Sequence, residues 1–517
     1  MKNSKVQNNL SRRCFLGAAG AVTIVSAAGI PVGIARAAAQ GTLSFGLSAF
    51  PPSLNPLENS GTAALTVKLM LYRSLLSYDT DGLVRPELAS EFKQIDPVTY
   101  ECSLRENAVF HDGSPVEAED VRFSYDLIRA ENSTALLRTD FEAIDSIEVT
   151  GEKSLRIKLK QPNVVFAQVL ASGYAPILSR KYGSPEEYMG AGPYTLDNFD
   201  RGSGITVKAF PDYYREDLPK AETVRFIALP DESLRIAALD SGAVDIIEYV
   251  STQNMGRIED GPSTHVSAVT GPFMYLMFNT KEGPFTDARL RRAVSYAIDR
   301  DAVNALGFSG MGTVIDGLPV PANPSYNPSL VEERFAYDPE KAKALLAEAG
   351  ASDLTVELLA TSQYAQHNDT AIVVRQSLAA VGINVNMNLP DWATRVSLGN
   401  EGKYHVAVSG TSGAYNDPDA LTKYIGGGQS ASFVRPFGYE NPEIDRLLAE
   451  GREELDTAKR AEIYAKVEEL VISDAPIVPI LWRPQAWGVR DAVSGFTPLP
   501  GFLSFQSGLR LEETQLA

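Results

Sequence analysis

Side chains able to hold a polar solute recur between residues 392 and 487. Indole and phenol rings can stack on sugar rings, and guanidinium groups pair with carboxylates and phosphates in a fixed geometry. Aromatic residues also dominate protein cores, so packing is the competing interpretation for each of these residues. As a set they form our candidate ligand site: Trp392, Arg395, Tyr415, Arg435, Trp482, Arg483 and Trp487.

The short acidic segment from Asn416 to Asp419 allows two interpretations. Asn416 and Asp417 carry polar groups that can bind a solute, and we include both in the candidate site. The order Asn-Asp-Pro-Asp is equally typical of a turn in which the acids cap the following residues. Both interpretations stay open at the level of sequence.

Motifs of catalysis and metal binding are absent from the sequence. It contains no CxxC, HExxH, GxxxxGK[ST] or GxSxG pattern. Only four histidines and two cysteines occur, and they are scattered, which disfavours a His/Cys metal site. We therefore predict no catalytic residue, no cofactor and no bound metal. An exported hydrolase remains the enzymatic alternative, because acidic pairs are common in an acidic chain.

Composition places the chain among large globular proteins. It has 517 residues, 44% of them hydrophobic, which is enough to bury a core in two or three lobes. The formal net charge of -18 disfavours nucleic acid as a partner, because phosphate binding needs clustered Lys and Arg. Cys14 and Cys102 are the two cysteines, so the loss of Cys14 with a leader leaves no disulfide framework.

The first 39 residues have the pattern of an export signal. Arg12 and Arg13 precede Phe-Leu, a weakly apolar stretch follows, and Ala37 and Ala39 both satisfy the small-x-small cleavage rule. The paired arginines predict a twin-arginine signal for residues 1–39, with an ordinary secretory leader as the alternative. No second apolar span follows. We therefore predict a soluble mature protein in the periplasm, without membrane insertion.

Hydrophobic periodicity predicts an alternation of helices and strands. Apolar residues alternate along strands at 42–50, 100–105, 154–159, 244–247, 354–359 and 383–389. A 3.6-residue repeat with capping acids or glycines predicts helices at 118–129, between Asp231 and Gly242, at 285–300, at 338–350 and at 370–381. This order predicts an α/β fold with helices packed on a sheet.

Three passages together resemble a known family. They begin at Val109 (VFHDGSP), Gly190 (GAGPY) and Phe285, the last running to Asp299-Arg300. In this order and spacing they are similar to the family 5 solute-binding proteins of ABC importers, which bind peptides, nickel or opines. We interpret the motifs themselves as structural: Gly113 in a turn, His111 without a metal partner, Gly192 in a bend between lobes, and Asp299-Arg300 at the end of a helix.

The resemblance implies a fold and a function for nearly the whole chain. It implies a three-lobed periplasmic-binding-protein type II architecture, the Venus flytrap, with mixed sheets and a hinge that closes on the ligand. Lobe I is expected at 40–57, 182–270 and 488–517, lobe II at 58–181, and lobe III at 271–487. The implied partners are a small-molecule or peptide ligand and the membrane permease subunits of an ABC importer, with the chain itself a monomer.

The resemblance also marks where peptide recognition departs from the family pattern. In dipeptide and oligopeptide binders an Asp pairs with the amino terminus of the ligand, and the matching position here is Ala414. A tryptophan common three residues earlier is Thr411, which joins the candidate site. Alanine cannot pair with a buried ammonium. Peptide or peptide-like ligands therefore compete with opines, sugar conjugates and oligosaccharides, while scattered histidines make nickel itself a weaker option and leave a metal chelate open.

Overall fold

The computed structural model describes residues 41–58, 60–181, 189–201, 204–351, 353–429 and 431–517. The predicted signal at 1–39 lies outside the described residues. The helices are α1 (Thr62–Leu71), α2 (Ala118–Arg129), α3 (Arg138–Phe141), α4 (Phe166–Leu170), α5 (Glu232–Asp240), α6 (Thr252–Glu259), α7 (Ala288–Ala297), α8 (Arg300–Gly307), α9 (Pro339–Glu348), α10 (Ala365–Ala380), α11 (Trp392–Asn400), α12 (Thr422–Ile425), α13 (Pro442–Glu453) and α14 (Thr457–Asp474).

The strands are β1 (Thr42–Leu47), β2 (Leu76–Tyr78), β3 (Val84–Pro86), β4 (Ala89–Asp96), β5 (Thr99–Leu104), β6 (Ile144–Gly151), β7 (Ser154–Leu159), β8 (Tyr194–Asp200), β9 (Gly204–Ala209), β10 (Thr223–Ala228), β11 (Ile246–Ile247), β12 (Thr264–Phe278), β13 (Thr313–Val314), β14 (Thr355–Leu359), β15 (Asn384–Asn388), β16 (Val406–Thr411), β17 (Ile477–Arg490), β18 (Val493–Ser494) and β19 (Gln515–Leu516).

Local sequence signals account for several of these boundaries. Asp338 accepts a hydrogen bond from the Lys341 amide and so caps α9, in which Pro339 takes the first position. Asp231 caps α5 in the same way. Gly113 has φ of +79°, as the predicted turn requires, and the Asp112 carboxylate accepts a hydrogen bond from the Ser114 amide.

One large mixed sheet runs through most of the chain. Its order is β15-β14-β16-β12-β17-β11-β1-β10-β9-β8, with β13 added beside β17. The strands β15, β14 and β16 are parallel to one another, and so are β10, β1 and β11. Between these two parallel groups lie β12 and β17, two long antiparallel strands of 15 and 14 residues that connect them. The register of this pair shifts between Thr270 and Phe273.

A second sheet of four antiparallel strands, in the order β4-β5-β7-β6, packs against α2. The apolar side chains of β5 and β7 point to one core, which includes Tyr100, Leu155 and the thiol of Cys102. Cys102 is the free cysteine of the described residues, and burial raises its pKa to about 12. The thiol therefore stays protonated and acts as an apolar core group.

Three details of the sequence interpretation change. The helix predicted at 370–381 is α10, which begins five residues earlier, at Ala365, and buries His367 in its first turn. Asp299 does not close a helix: its carboxylate accepts a hydrogen bond from the Ala302 amide and caps the start of α8. Gly192 is required for close packing, since a Cβ there would lie 2.4 Å from the Met70 carbonyl oxygen.

Buried charges join distant parts of the chain. Glu87 is fully buried and accepts hydrogen bonds from Ser77, Tyr214 and Arg215, while the Arg73 guanidinium lies 3.8 Å away. Burial alone would raise the pKa of Glu87, but the charges of Arg215 and Arg73 lower it below the usual value. These contacts are made in the interior, where the loss of one partner leaves an uncompensated charge.

We predict that Glu87→Ala lowers the free energy of unfolding by about 3–5 kcal/mol at pH 7, because the guanidinium groups of Arg73 and Arg215 then share a single carboxylate, that of Glu512. Urea denaturation followed by circular dichroism measures this change. Glu443→Ala, which removes an exposed carboxylate paired with Arg446, should leave the midpoint unchanged. Equal midpoints for all three proteins would contradict the prediction.

Candidate functional site

The carboxyl ends of parallel strands meet around one group of aromatic and polar residues. Tyr249 follows β11, Tyr364 follows β14 and Trp392 follows β15. Ligands of open α/β sheets bind in the crevice at the carboxyl ends of strands, because loops there can supply side chains without breaking the sheet. We call this group of residues, with Arg483 of β17 and Phe505 of the C-terminal segment, the central site.

Arg483 is the charged residue of the central site. Its guanidinium lies 5.8 Å from the ring centre of Tyr249 and 5.9 Å from that of Phe505, within the range of cation–π attraction. One terminal nitrogen donates to the Gln485 amide oxygen at 3.2 Å and to the Pro484 carbonyl. Its Nε is shielded from solvent and has no hydrogen-bond partner. Among the described residues, no carboxylate forms an ion pair with Arg483.

Tyr249 is held in an unusual backbone conformation. Its φ is +58°, in the left-handed region that a bulky residue rarely adopts. The ring stacks on that of Phe505, with centroids 6.2 Å apart and planes at 17°. The Arg235 guanidinium donates to the Tyr249 carbonyl at 3.1 Å, and this contact helps to hold the strained residue in place.

His367 lies on α10 between Tyr364 and Trp392, with ring centroids 6.3 Å and 5.6 Å away. It is 5% exposed, and its Nδ1 has no hydrogen-bond partner. Burial lowers the pKa of His367 to about 3, and the positive charges of Arg395 and Arg483 add to this effect. The imidazole is therefore neutral at physiological pH and offers its ring nitrogen as a hydrogen-bonding group rather than a charge.

Arg395 supports the site from behind Trp392. It is fully buried and donates to the Phe433 carbonyl at 2.7 Å and to the Val408 carbonyl at 2.8 Å. Its guanidinium carbon lies 5.6 Å from the Trp392 ring and 5.5 Å from the Phe433 ring. These contacts fix the orientation of Trp392.

Further polar groups without partners lie beside Arg483. Gln485 follows it on the same face of β17, and its Nε2 has no hydrogen-bond partner. The Ser504 hydroxyl is also buried and unpartnered. Gly271 permits this arrangement, because a Cβ at that position would lie 2.7 Å from the Gln485 Cβ and 2.9 Å from the Ser504 hydroxyl.

The structure brings some residues of the sequence-based candidate site together and separates others. Trp392, Arg395 and Arg483 surround His367. Trp482 lies next to Arg483 on β17 but packs on Phe273 and Phe502. It therefore contributes an aromatic wall on the opposite face of that strand.

Protein contacts hold the candidates around residue 415. The Tyr415 hydroxyl donates to Asp419, and Asp417 forms a buried ion pair with Arg460 at 2.8 Å. Asp417 also caps the 3-10 turn at Pro418–Leu421, as the turn interpretation expects. The Asn416 side chain accepts a hydrogen bond from the Phe502 amide and donates to the Pro500 carbonyl.

The remaining three candidates lie in other surroundings. The Thr411 hydroxyl is 3.3 Å from the Tyr424 hydroxyl at the end of β16. Arg435 donates to the Gly426 carbonyl and lines a separate depression of about 160 Å³. Trp487 is 1% exposed and packs edge-on against Phe496 in the core around β1.

Sequence reasoning missed three residues of the central site, Tyr249, Tyr364 and Phe505. It also missed three residues beside that site, His367, Gln485 and Ser504. The available signal was the position of Tyr249 and Tyr364 directly after predicted strands. Among the described residues, no helix is both long and apolar enough to span a bilayer, and no group of three or more His, Cys, Asp or Glu side chains is arranged to hold a metal ion.

Comparisons with known proteins agree on one family. Residues 84–433 match the model of "Bacterial extracellular solute-binding proteins, family 5 Middle". The dipeptide-binding protein of Escherichia coli K12 is 26% identical over 504 residues, covering 89% of this chain and 92% of that relative. The glutathione-binding protein GsiB of Pectobacterium atrosepticum is 27% identical over 472 residues, covering 87% and 90%.

A solved structure is more similar still. The periplasmic binding protein AgaA of A. tumefaciens R10, in complex with agropinic acid, superimposes with a TM-score of 0.83 at 37% sequence identity. The match covers 92% of this chain and 99% of AgaA. The mixed α/β architecture inferred from the sequence is therefore confirmed as the type II fold of these binding proteins.

We predict that His367 makes stability depend on pH. Its folded-state pKa of about 3 lies below the ordinary value of 6.5, so the unfolded chain binds the proton more readily. The stabilisation is complete above pH 6.5 and is lost as the pH falls, by about 2 kcal/mol between pH 7 and pH 5. His367→Asn should remove that part of the loss in urea titrations at the two pH values.

The exposed His265 provides the control for this experiment, since its ring contacts Asp491 at the surface. The prediction would fail if His367→Asn and wild type lost the same free energy of unfolding between pH 7 and pH 5.

Proposed function

The chain belongs to family 5 of the bacterial extracellular solute-binding proteins, and from this premise we propose that its solute is a small carboxylate of the opine class. Proteins of this family are the solute-binding components of ABC importers, and this chain is such a receptor. An opine joins an amino acid to a sugar or a keto acid, so it combines a carboxylate with other polar groups.

The observation that carries the proposal is Arg483. Arg483 is half-buried and has no carboxylate partner among the described residues, and a solute carboxylate can pair with it through charge-assisted hydrogen bonds. The unpartnered Nε of Arg483 and Nε2 of Gln485 are donors, as a carboxylate requires. The stacked rings of Tyr249 and Phe505 lie to one side of the guanidinium.

Two further observations favour an opine over a peptide. Ala414 stands where peptide binders carry the acid for the ligand's amino terminus. AgaA, which is bound to agropinic acid, shares 37% of its residues with this chain, against 26% for the dipeptide-binding protein. A peptide or peptide-like solute remains the second candidate, supported by the names of the dipeptide- and glutathione-binding relatives.

We propose that the solute binds between lobes that close on it, with the lobe boundaries given above. In this scheme β12 and β17 form the hinge, since they connect the two parallel groups of strands. Tyr249 and Phe505 then belong to lobe I, whereas Tyr364, Trp392 and Arg483 belong to lobe III. A solute that touches both lobes stabilises the closed state, because only that state offers all the contacts.

The cellular setting of this proposal follows from the leader. We propose that a twin-arginine signal at 1–39 exports the folded chain to the periplasm. There it acts as a monomer, without catalysis, and delivers its solute to the permease subunits of an importer.

Isothermal titration calorimetry with agropinic acid tests the solute class. We expect binding by the wild-type protein and an affinity at least about 30-fold weaker for Arg483→Met, because a buried ligand carboxylate loses its charged partner. Arg291→Met is the control, since Arg291 is a buried arginine that donates to the backbone carbonyls of Phe285 and Asp474. Equal affinities for wild type and Arg483→Met would contradict the role of Arg483.

The peptide alternative has its own test. Because Ala414 cannot pair with an ammonium, we expect that N-acetylation does not weaken any binding of a mixed dipeptide and tripeptide library. Competition against the solute retained through gentle purification, identified by mass spectrometry, measures this. Micromolar peptide binding that disappears on N-acetylation would establish a peptide receptor instead.

A further inference from the structure

Glu248 is a buried carboxylate at the end of β11, immediately before Tyr249. It is 1% exposed. The strands β1 and β11 are parallel neighbours, so Ser48 and Glu248, the residues that follow them, lie side by side at the same edge of the sheet. This edge also presents Tyr249 to the central site. Glu248 is therefore placed at the same crevice as Arg483, on a different strand.

The two oxygens of Glu248 have different surroundings. Oε1 accepts hydrogen bonds from the Ser48 amide at 2.8 Å and from the Ser48 hydroxyl at 2.6 Å. Oε2 is shielded from solvent and has no hydrogen-bond partner. An unpartnered buried carboxylate oxygen is costly, and it is unusual in a folded protein unless another molecule completes it.

The nearest cation is engaged elsewhere. Arg235 donates to the backbone carbonyls of Glu248, Tyr249, Leu229 and Pro230 at 2.8–3.2 Å. Its guanidinium thus holds the main chain in place. Its positive charge also stabilises the Glu248 carboxylate, although the described contacts include no ion pair between these two side chains. Burial raises the pKa of Glu248, and hydrogen bonds from Ser48 oppose the rise.

Glu248 lies within electrostatic range of Tyr364. Burial raises the pKa of the Tyr364 phenol, and the charges of Tyr249 and Glu248 add to the rise. Such an effect requires proximity. Tyr364 follows β14, in the other parallel group of strands. The Glu248 carboxylate therefore acts across the gap between the two groups of strands.

We propose that Oε2 of Glu248 accepts a hydrogen bond from the bound solute. The solute then carries a donor, either a hydroxyl group or a protonated amine, in addition to the carboxylate that contacts Arg483. This inference rests on the proposed function and adds to it a second anchor, a carboxylate in addition to the guanidinium of Arg483. The acidic anchor then lies directly after β11, in a chain that has alanine at position 414.

Two variants at this position distinguish the two kinds of donor. Calorimetric titration with agropinic acid compares wild type with Glu248→Ala and Glu248→Gln. Alanine removes the acceptor, and we expect at least tenfold weaker binding. If the solute group is a hydroxyl, which can also accept, the glutamine NH2 can donate to it while the amide oxygen keeps the Ser48 contacts, so Glu248→Gln should stay within about fivefold of wild type. For a protonated amine, the loss of charge should make Glu248→Gln nearly as weak as Glu248→Ala.

Asp245→Asn is the matched control. Asp245 lies just before the same strand and is 6% exposed, and both of its oxygens have partners, the Ser44 amide and the Arg490 guanidinium. Its substitution also removes a buried carboxylate charge, and the affinity should stay within about threefold of wild type. Circular dichroism melting of each variant with and without agropinic acid separates lost binding from lost folding.

The outcomes separate this inference from the proposed function. Binding by wild type with unchanged affinity in both Glu248 variants would overturn the inference and leave the solute class in place. Failure of wild type to bind agropinic acid would overturn the opine proposal, and the inference with it. A loss of affinity in Asp245→Asn as large as in Glu248→Ala would also overturn the inference, because it would assign the effect to the strand and not to Oε2.

Discussion

Arg483 is a half-buried guanidinium beside the stacked rings of Tyr249 and Phe505, and it has no carboxylate partner within the described part of the chain. Water can satisfy its hydrogen bonds while the crevice is open. In the lobe closure that we propose, water leaves the crevice, and the guanidinium, the Gln485 amide and the Ser504 hydroxyl bond to the solute that occupies it. The solute is then part of the polar interior, so the closed state is favourable only when a suitable solute is present.

The sheet explains why these groups converge. Parallel strands place all their carboxyl ends on one edge, and the chain contains two parallel groups, β10-β1-β11 and β15-β14-β16. Each group supplies side chains from the loops after its strands, and the antiparallel pair of β12 and β17 holds the groups in one sheet. Arg483 lies on one of these connecting strands. Its position therefore depends on β17, a strand that must bend if the two parallel groups move relative to each other.

Much of the fold could be predicted from periodicity and capping. Helix α9 follows from Asp338 and Pro339, and α2 and β7 have the predicted bounds, because their apolar stripes and end signals coincide. The wrong predictions lie where tertiary contacts determine the boundary of a helix. The sequence around Asp299 predicts the end of one helix, yet the Asp299 carboxylate caps the start of the next. Only the turn geometry between α7 and α8 distinguishes these two interpretations.

The site was less predictable than the fold. Side-chain chemistry selects Arg483, Arg395 and Trp392 from the sequence, but the same chemistry selects Trp487, which is core, and Asp417, which pairs with Arg460. The partners of Arg483 come from Tyr249 and Phe505, which are far from it and from each other in sequence. Their meeting depends on which strands become neighbours, and a single sequence carries no direct record of strand order.

The acidic anchor that we propose at Glu248, in a chain with alanine at position 414, has a physical consequence for selectivity. An acid at 414 would follow β16, in the same parallel group as Trp392, whereas Glu248 belongs to the group of β1. Moving the acidic anchor to the other group changes the distance and direction between the negative and positive ends of the site. A solute is then chosen by the separation of its carboxylate from its donor group, in addition to its net charge. Under this proposal a peptide binds only where the separation of its ammonium and carboxylate groups matches the separation of Glu248 and Arg483.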